Sequence, residues 1–247
     1  MIATHSNAFL DIPGVNTYRC WLDEAHHTRC ELASKASDKH AILVDLGYKP
    51  SDILQANFVI WVEGPSDRTY LKHWIHAKDP DLIEGLHYMI MFYGGRLLSH
   101  LSYDSLPADE DSLVTDFISL ARLNRNAAIV IDSDRETAEG ALNRTKERIR
   151  EEFERESCLV WITDGRMIEN YLPASLLNQA VAKVHPKAAK EFVWGQYRDM
   201  TKLTAEKTFD KVAVAQSVAD LPADFSILDL DGRVDQLVER IRQHNSL

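Results

Sequence analysis

Residues 58–71 read FVIWVEGPSDRTYL. Five apolar residues, Phe58 to Val62, run without a polar interruption, as a strand buried on both faces requires. Glu63, Gly64 and Pro65 end that run, and from Asp67 to His76 the residues Tyr70, Leu71, Trp74 and Ile75 recur at helical spacing. The same order returns downstream. LHYMIMF (86–92) is a strand closed by YGGR (93–96), with a helical stretch after it. An acidic loop, PADEDS (107–112), precedes VTDFISLARL (114–123), which again has helical spacing. NAAIVI (126–131) is a third strand that stops at DSDRE (132–136), and LNRTKERIREEFERE (142–156) is a charged helix. CLVWIT (158–163) is a fourth strand, followed by DGRMIENYLP (164–173). Apolar strands that alternate with helices predict a mostly parallel sheet covered on both faces, here a doubly wound α/β domain over 57–175.

Outward from this core the pattern changes. Toward the N-terminus, YRCWLD and RCELA flank EAHHT as two edges of a hairpin. DLGYKPSD then supplies turn chemistry, with Ser51 a helix cap before DILQAN, so residues 1–56 read as a separate segment. After Pro173 the strand signal fades. ASLLNQAVAKV, AKEFVWGQYRDM, FDKVAVAQSVADL and GRVDQLVERIRQ all read as amphipathic helices, the last with Val234, Leu237, Val238 and Ile241 on one face. These make residues 176–247 a helical C-terminal region.

Composition narrows the function. The 247 residues are 45% hydrophobic, enough for a core without staples, and 38 acids against 28 bases give a net charge of −10. No apolar run approaches the roughly 20 residues of a membrane span. The opening MIATHSNAFLD has no secretory pattern, and three cysteines, Cys20, Cys30 and Cys158, suit a reducing cytoplasm. The acidic balance argues against a broad basic surface for nucleic acid. It leaves open an acidic site that meets phosphate through a bound divalent ion.

Such a site is expected beyond the carboxyl ends of the strands, where doubly wound sheets bind ligands. Glu63 follows the first core strand and Asp67 lies four residues on; Asp132 and Asp134 follow the third strand, and Glu169 follows the fourth. Asp132 and Asp134 point the same way if DSD remains extended. An all-oxygen set of this kind suits Mg²⁺ or Mn²⁺. Helix capping is the competing account of Asp67 and Asp132 taken singly.

VEGPSDRTYL together with IDSDR resembles the TOPRIM domain, and YGGR with GRMIENYLP resembles the TOPRIM portion of the OLD-family ATP-dependent endonucleases, over about residues 57–175. The resemblance implies divalent-metal-dependent DNA cleavage, in phage defence or DNA repair. It matches Glu63, Asp132 and Asp134 to the family's Mg²⁺-binding acidic triad, and Asp67 and Glu169 to the further acids of a second metal position. Two ions would activate the attacking water and stabilise the leaving oxygen. Lys211 in FDKVAVA resembles the family's late lysine, with Lys207 as its rival. Arg96, helped by the amides of Gly94 and Gly95, and Arg166 are candidate phosphate holders, while Arg135 suits an ion pair as well as DNA.

MIATHSNAFLD resembles the end of an ABC-type ATPase, with His5 at the switch-histidine position. No GxxxxGK[ST] occurs, so neither nucleotide binding nor ATP hydrolysis is expected of this chain alone. The expected partners are DNA, an ABC-type ATPase module in cis or in trans, and a second copy through the helical tail, without a membrane. Other TOPRIM activities compete with this reading, but a topoisomerase needs a tyrosine on a further domain and a primase usually has a zinc module. A phospho-receiver expects an acidic pair straight after the first strand, and a non-catalytic interaction module stays open. The spacing C-x5-H-H-x2-C of Cys20, His26, His27 and Cys30 is not a usual structural zinc pattern, so a hairpin with buried or half-buried cysteines is expected. Trp61, Trp74 and Trp161 read as core, whereas Trp194 and Tyr197 read as candidates to face a partner.

Overall fold

The computed structural model describes residues 18–22, 27–32, 56–93, 124–187, 191–203 and 207–247, together with helical positions Val114, Phe117, Ile118 and Ala121. His5, His26, Ser51, Gly94, Gly95, Arg96 and the PADEDS loop lie outside the described residues. The chain divides into two units, Met1–Ile53 and Leu54–Leu247.

In the first unit, β1 (Tyr18–Leu22) and β2 (Thr28–Leu32) form the antiparallel hairpin that the alternating residues predict. Its register sets Tyr18 against Leu32 and Cys20 against Cys30. Both cysteines are exposed, contrary to the expectation of burial, because every residue of β2 faces solvent.

The second unit holds a four-stranded parallel sheet. Its strands are β3 (Val59–Val62), β4 (Met89–Phe92), β5 (Ala127–Ile131) and β6 (Leu159–Ile162), in the order β4-β3-β5-β6. β3 and β5 are buried throughout, which explains their unbroken apolar sequence. The chain leaves β3 toward β4 on one side and returns with β5 on the other. The ends of β3 and β5 therefore flank a topological switch point, where such sheets open a crevice.

Helices α1 (Pro65–Lys78) and α2 (Arg144–Arg155) flank the sheet. α1 starts where Pro65 takes the first helical turn, and the Asp67 carboxylate accepts the Gly64 N–H at 3.0 Å. α2 starts at Asn143, whose side chain accepts the Lys146 N–H at 2.8 Å. Trp61, Trp74 and Trp161 are buried, with Trp74 and Trp161 packed against Tyr171.

Three further helices, α3 (Ala174–Val184), α4 (Lys211–Ala219) and α5 (Leu230–Asn245), share this core. The apolar stripe of α5 is spent inside the chain: Val234, Leu237 and Ile241 are fully buried, and Val238 packs on the same core. Ion pairs add to this contact, Lys78 with Asp231 and Asp235 and Asp79 with Arg242, and the Arg242 bond holds the Asp79 carboxyl below its ordinary range. Among the described residues no helix is long and apolar enough to cross a membrane.

One expected helix is absent. Residues 191–200 are turns and irregular chain. Side chains take their backbone groups instead: Asn178 bonds both the N–H and the carbonyl of Phe192, and Asn170 donates to the carbonyls of Gly195 and Arg198.

Candidate metal centre

The switch point is where the acids gather. The register of β3 on β5 pairs Trp61 with Ile129. Continued for two residues, it sets Glu63 beside Ile131, one residue short of Asp132. Asp67 sits in the first turn of α1, buried, bonded to Gly64 and to the Ser66 hydroxyl at 3.1 Å. Asp132 is buried at the end of β5 and its Oδ1 accepts the Ile168 N–H at 2.8 Å. That bond fixes a 3-10 turn, Ile168–Tyr171, which carries Glu169 into the interior.

Glu169 is fully buried, and among the described residues neither of its carboxylate oxygens has a hydrogen-bond partner. The Lys211 ammonium, at the start of α4, lies 3.4 Å from Glu169 Oε1. The turn that delivers Glu169 is built by its neighbours. Asn170 Oδ1 accepts the Met167 N–H at 2.9 Å, and Gly165 passes so close that a Cβ there would stand 2.5 Å from Asn170 Cβ.

These side chains act on one another. Burial raises the Asp132 carboxyl well above its ordinary value, and the charges of Glu63, Asp67 and Glu169 raise it further. Asp67 is pushed up to about 7, by burial first and then by Glu63 and Glu169. Glu63 is raised chiefly by burial, against the opposing pull of Lys146 and Lys211. Burial works against the charge on Lys211, but Glu169, Asp132, Asp67 and Glu63 outweigh it and hold the ammonium above its ordinary range. Four acids from three strand ends and one late lysine thus form a single electrostatic unit.

Asp134 takes a different course. Its φ of 54° is left-handed, so DSD does not remain extended, and the expectation that Asp132 and Asp134 point the same way does not hold. The Asp134 N–H donates to the Arg166 carbonyl at 2.8 Å, and its side chain, 54% exposed, pairs with Lys146. Lys146 is 2% exposed, and its ammonium also donates to the Asp132 carbonyl at 2.7 Å. Arg166 is tied into the same loop: its N–H donates to Gln196, and its guanidinium pairs with Glu136 at 3.1 Å. The Arg135 Nε is buried without a hydrogen bond among the described residues, and Lys207 is exposed. Trp194 is half-buried and donates to the Asn170 carbonyl at 2.8 Å, which gives it a structural task beneath the same loop.

Three neighbours of the acids are not singled out in the sequence. Lys146 stands in a helix crowded with Lys, Arg and Glu, where only the fold shows which one is buried. Tyr70 reads as a plain core residue, and Tyr93 only as the first residue of YGGR. Yet both hydroxyls are held well above their ordinary range, by burial and then by Glu169 and Asp67 for Tyr70 and by Glu63 and Asp132 for Tyr93. Tyr93 donates to the Val130 carbonyl at 2.8 Å; the Tyr70 hydroxyl has no hydrogen bond among the described residues.

The donor chemistry fits Mg²⁺ or Mn²⁺: an all-oxygen set, mutually repelling, with both Glu169 oxygens lacking hydrogen bonds among the described residues. The set is not closed on one point, since among the described residues no three His, Cys, Asp or Glu side chains stand close enough to share an ion. Lys211 and Lys146 supply positive charge at the acids instead. No protein-family model matches the chain, and neither does any curated protein or solved structure.

Proposed function

We propose that the chain is a divalent-metal-dependent DNA endonuclease that hydrolyses phosphodiester bonds at the carboxyl edge of its parallel sheet. One observation carries the reading: Glu63, Asp67, Asp132 and Glu169 act electrostatically on one another and on Lys211, and the Glu169 carboxylate is buried and, among the described residues, without a hydrogen bond. Stability alone disfavours such a cluster, because each buried carboxylate must give up hydration and repel the next. The resemblance of VEGPSDRTYL, IDSDR and GRMIENYLP to the TOPRIM portion of the OLD-family nucleases supports the same reading. On it, an ABC-type ATPase module in cis or in trans is the expected partner, and phage defence or DNA repair the expected setting.

Glu63, Asp67, Asp132 and Glu169 would hold Mg²⁺ or Mn²⁺, and Asp134 would join them by giving up Lys146. A bound divalent ion supplies Lewis-acid polarisation of the phosphate and a more acidic water. Lys211, with its proton held tightly, acts as a fixed positive charge for the phosphate rather than as a base. Asp132, through the Ile168 N–H, keeps the 3-10 turn in the position that aims Glu169 at the site.

A second reading, a non-catalytic interaction module, is favoured by one observation: Lys146 engages Asp134, and no trio of acids is closed for an ion among the described residues. Supercoiled plasmid separates the two. Incubation with Mn²⁺ or Mg²⁺ should give nicked or linear DNA, and EDTA, Glu63→Ala or Asp132→Ala should abolish it. A folded wild-type chain that leaves the plasmid intact in both metals supports the module. Relaxed closed circles without nicks would point to a topoisomerase.

A further inference from the structure

The hairpin holds a feature that the carboxylate site does not use. Cys20 and Cys30 are directly opposed in the β1–β2 register, and their Sγ atoms lie 3.0 Å apart, sharing a hydrogen bond as free thiols. Residues directly opposed in an antiparallel pair have Cα atoms about 4.5–5.5 Å apart, inside the roughly 4.4–6.8 Å span that a disulfide bridges. The strands therefore need no shift of register to be joined. Both thiols are exposed and thus open to a small reagent in solution. Cys158, in the other unit, is half-buried, and its thiol contacts the carbonyls of Arg125 and Glu156.

We propose that Cys20 and Cys30 form a reversible dithiol–disulfide site, oxidised by small disulfides of the glutathione class. In the first step the Cys20 thiolate attacks one sulfur of glutathione disulfide, a mixed disulfide forms, and one glutathione leaves as its thiolate. In the second, the Cys30 thiolate attacks the Cys20 sulfur, the intramolecular bond forms, and the second glutathione leaves. Two protein thiols are oxidised, one glutathione disulfide is reduced, and the two protons released by the protein are taken up by the two departing thiolates. Either thiol can take the first step, since the two are opposed in register and either sulfur can donate the shared hydrogen bond. An isolated two-stranded hairpin is marginal in water, so the bond would lock this register.

The test equilibrates the full chain with graded ratios of oxidised to reduced glutathione, quenches in acid, alkylates the remaining thiols and reads intact and peptide masses. Wild type is expected to lose both hairpin thiols together, retain no glutathione there and form no disulfide-linked dimer. Cys20→Ser and Cys30→Ser, each with one thiol left, are expected to stop at a glutathione adduct. A stable adduct on Cys20 or Cys30 of wild type overturns the proposal. So do disulfide-linked dimers, or two hairpin thiols that still alkylate at ratios where the single-serine variants carry the adduct. The outcome is independent of whether the chain cleaves DNA.

Discussion

Asp67 sets the pH behaviour expected of a single residue. An acid whose pKa is higher in the folded chain holds its proton more tightly there than in the unfolded chain. Its penalty is absent below the ordinary carboxylate value and grows as pH rises toward the folded value. For Asp67, raised from 3.8 to about 7, the full penalty is roughly 4 kcal/mol if the group acted alone. In EDTA the melting temperature should therefore fall between pH 4 and pH 7, and Mn²⁺ should restore it more at pH 7.5 than at pH 5. A profile flat in pH and indifferent to Mn²⁺ would count against a carboxylate cluster held for a metal. Gly165 offers a second check. A methyl group there would meet Asn170 Cβ at 2.5 Å and the Gln196 carbonyl at 2.9 Å. Gly165→Ala should cost about 1–3 kcal/mol in denaturant unfolding and displace the turn that carries Glu169. The acids themselves were legible because each directly follows or closely trails a strand. The environment that perturbs them was not, since Lys146, Lys211 and Tyr93 reach the site from other elements of the chain.

At the scale of elements, the four core strands stand within a few residues of the apolar runs that predict them, since a strand buried on both faces must be apolar at every position. The start of α1 was legible in Asp67, whereas the second charged helix was read from Leu142 and begins only after its Asn143 cap. Asn143→Ala should cost about 1 kcal/mol in chemical denaturation, the usual loss of an N-cap. Lys146→Met goes further, removing the donor to the Asp132 carbonyl and the partner of Asp134. With Asp134 half in solvent, a loss of about 1–3 kcal/mol is expected from denaturation curves, and the variant should be the more sensitive to Mn²⁺. The segment 191–200 misled because its apolar spacing is genuine, with Phe192 buried. Its backbone is claimed by Asn170 and Asn178, and neither contact can be read from a periodicity.

For the molecule as a whole, α3, α4 and α5 belong to the core of the sheet, so residues 54–247 should unfold together. Leu237→Ala should cost about 2–5 kcal/mol and lower a single transition followed by both tryptophan fluorescence and circular dichroism. Two separated transitions would make the helical tail a domain of its own. The net charge of −10 carries a further expectation. In EDTA the chain should bind DNA weakly, and a divalent ion should strengthen binding measurably in a gel shift. The sequence by itself determined the parallel α/β core, its strand ends and the acids placed there, because apolar runs, breakers and caps act over neighbouring residues. Only the tertiary structure decided that Asp134 turns away to a buried lysine, that Glu169 is buried with no hydrogen bond among the described residues, and that the last helix spends its apolar face at home. Those outcomes depend on which distant groups the fold brings into one space, and burial and Coulomb interaction are properties of that space rather than of any stretch of chain.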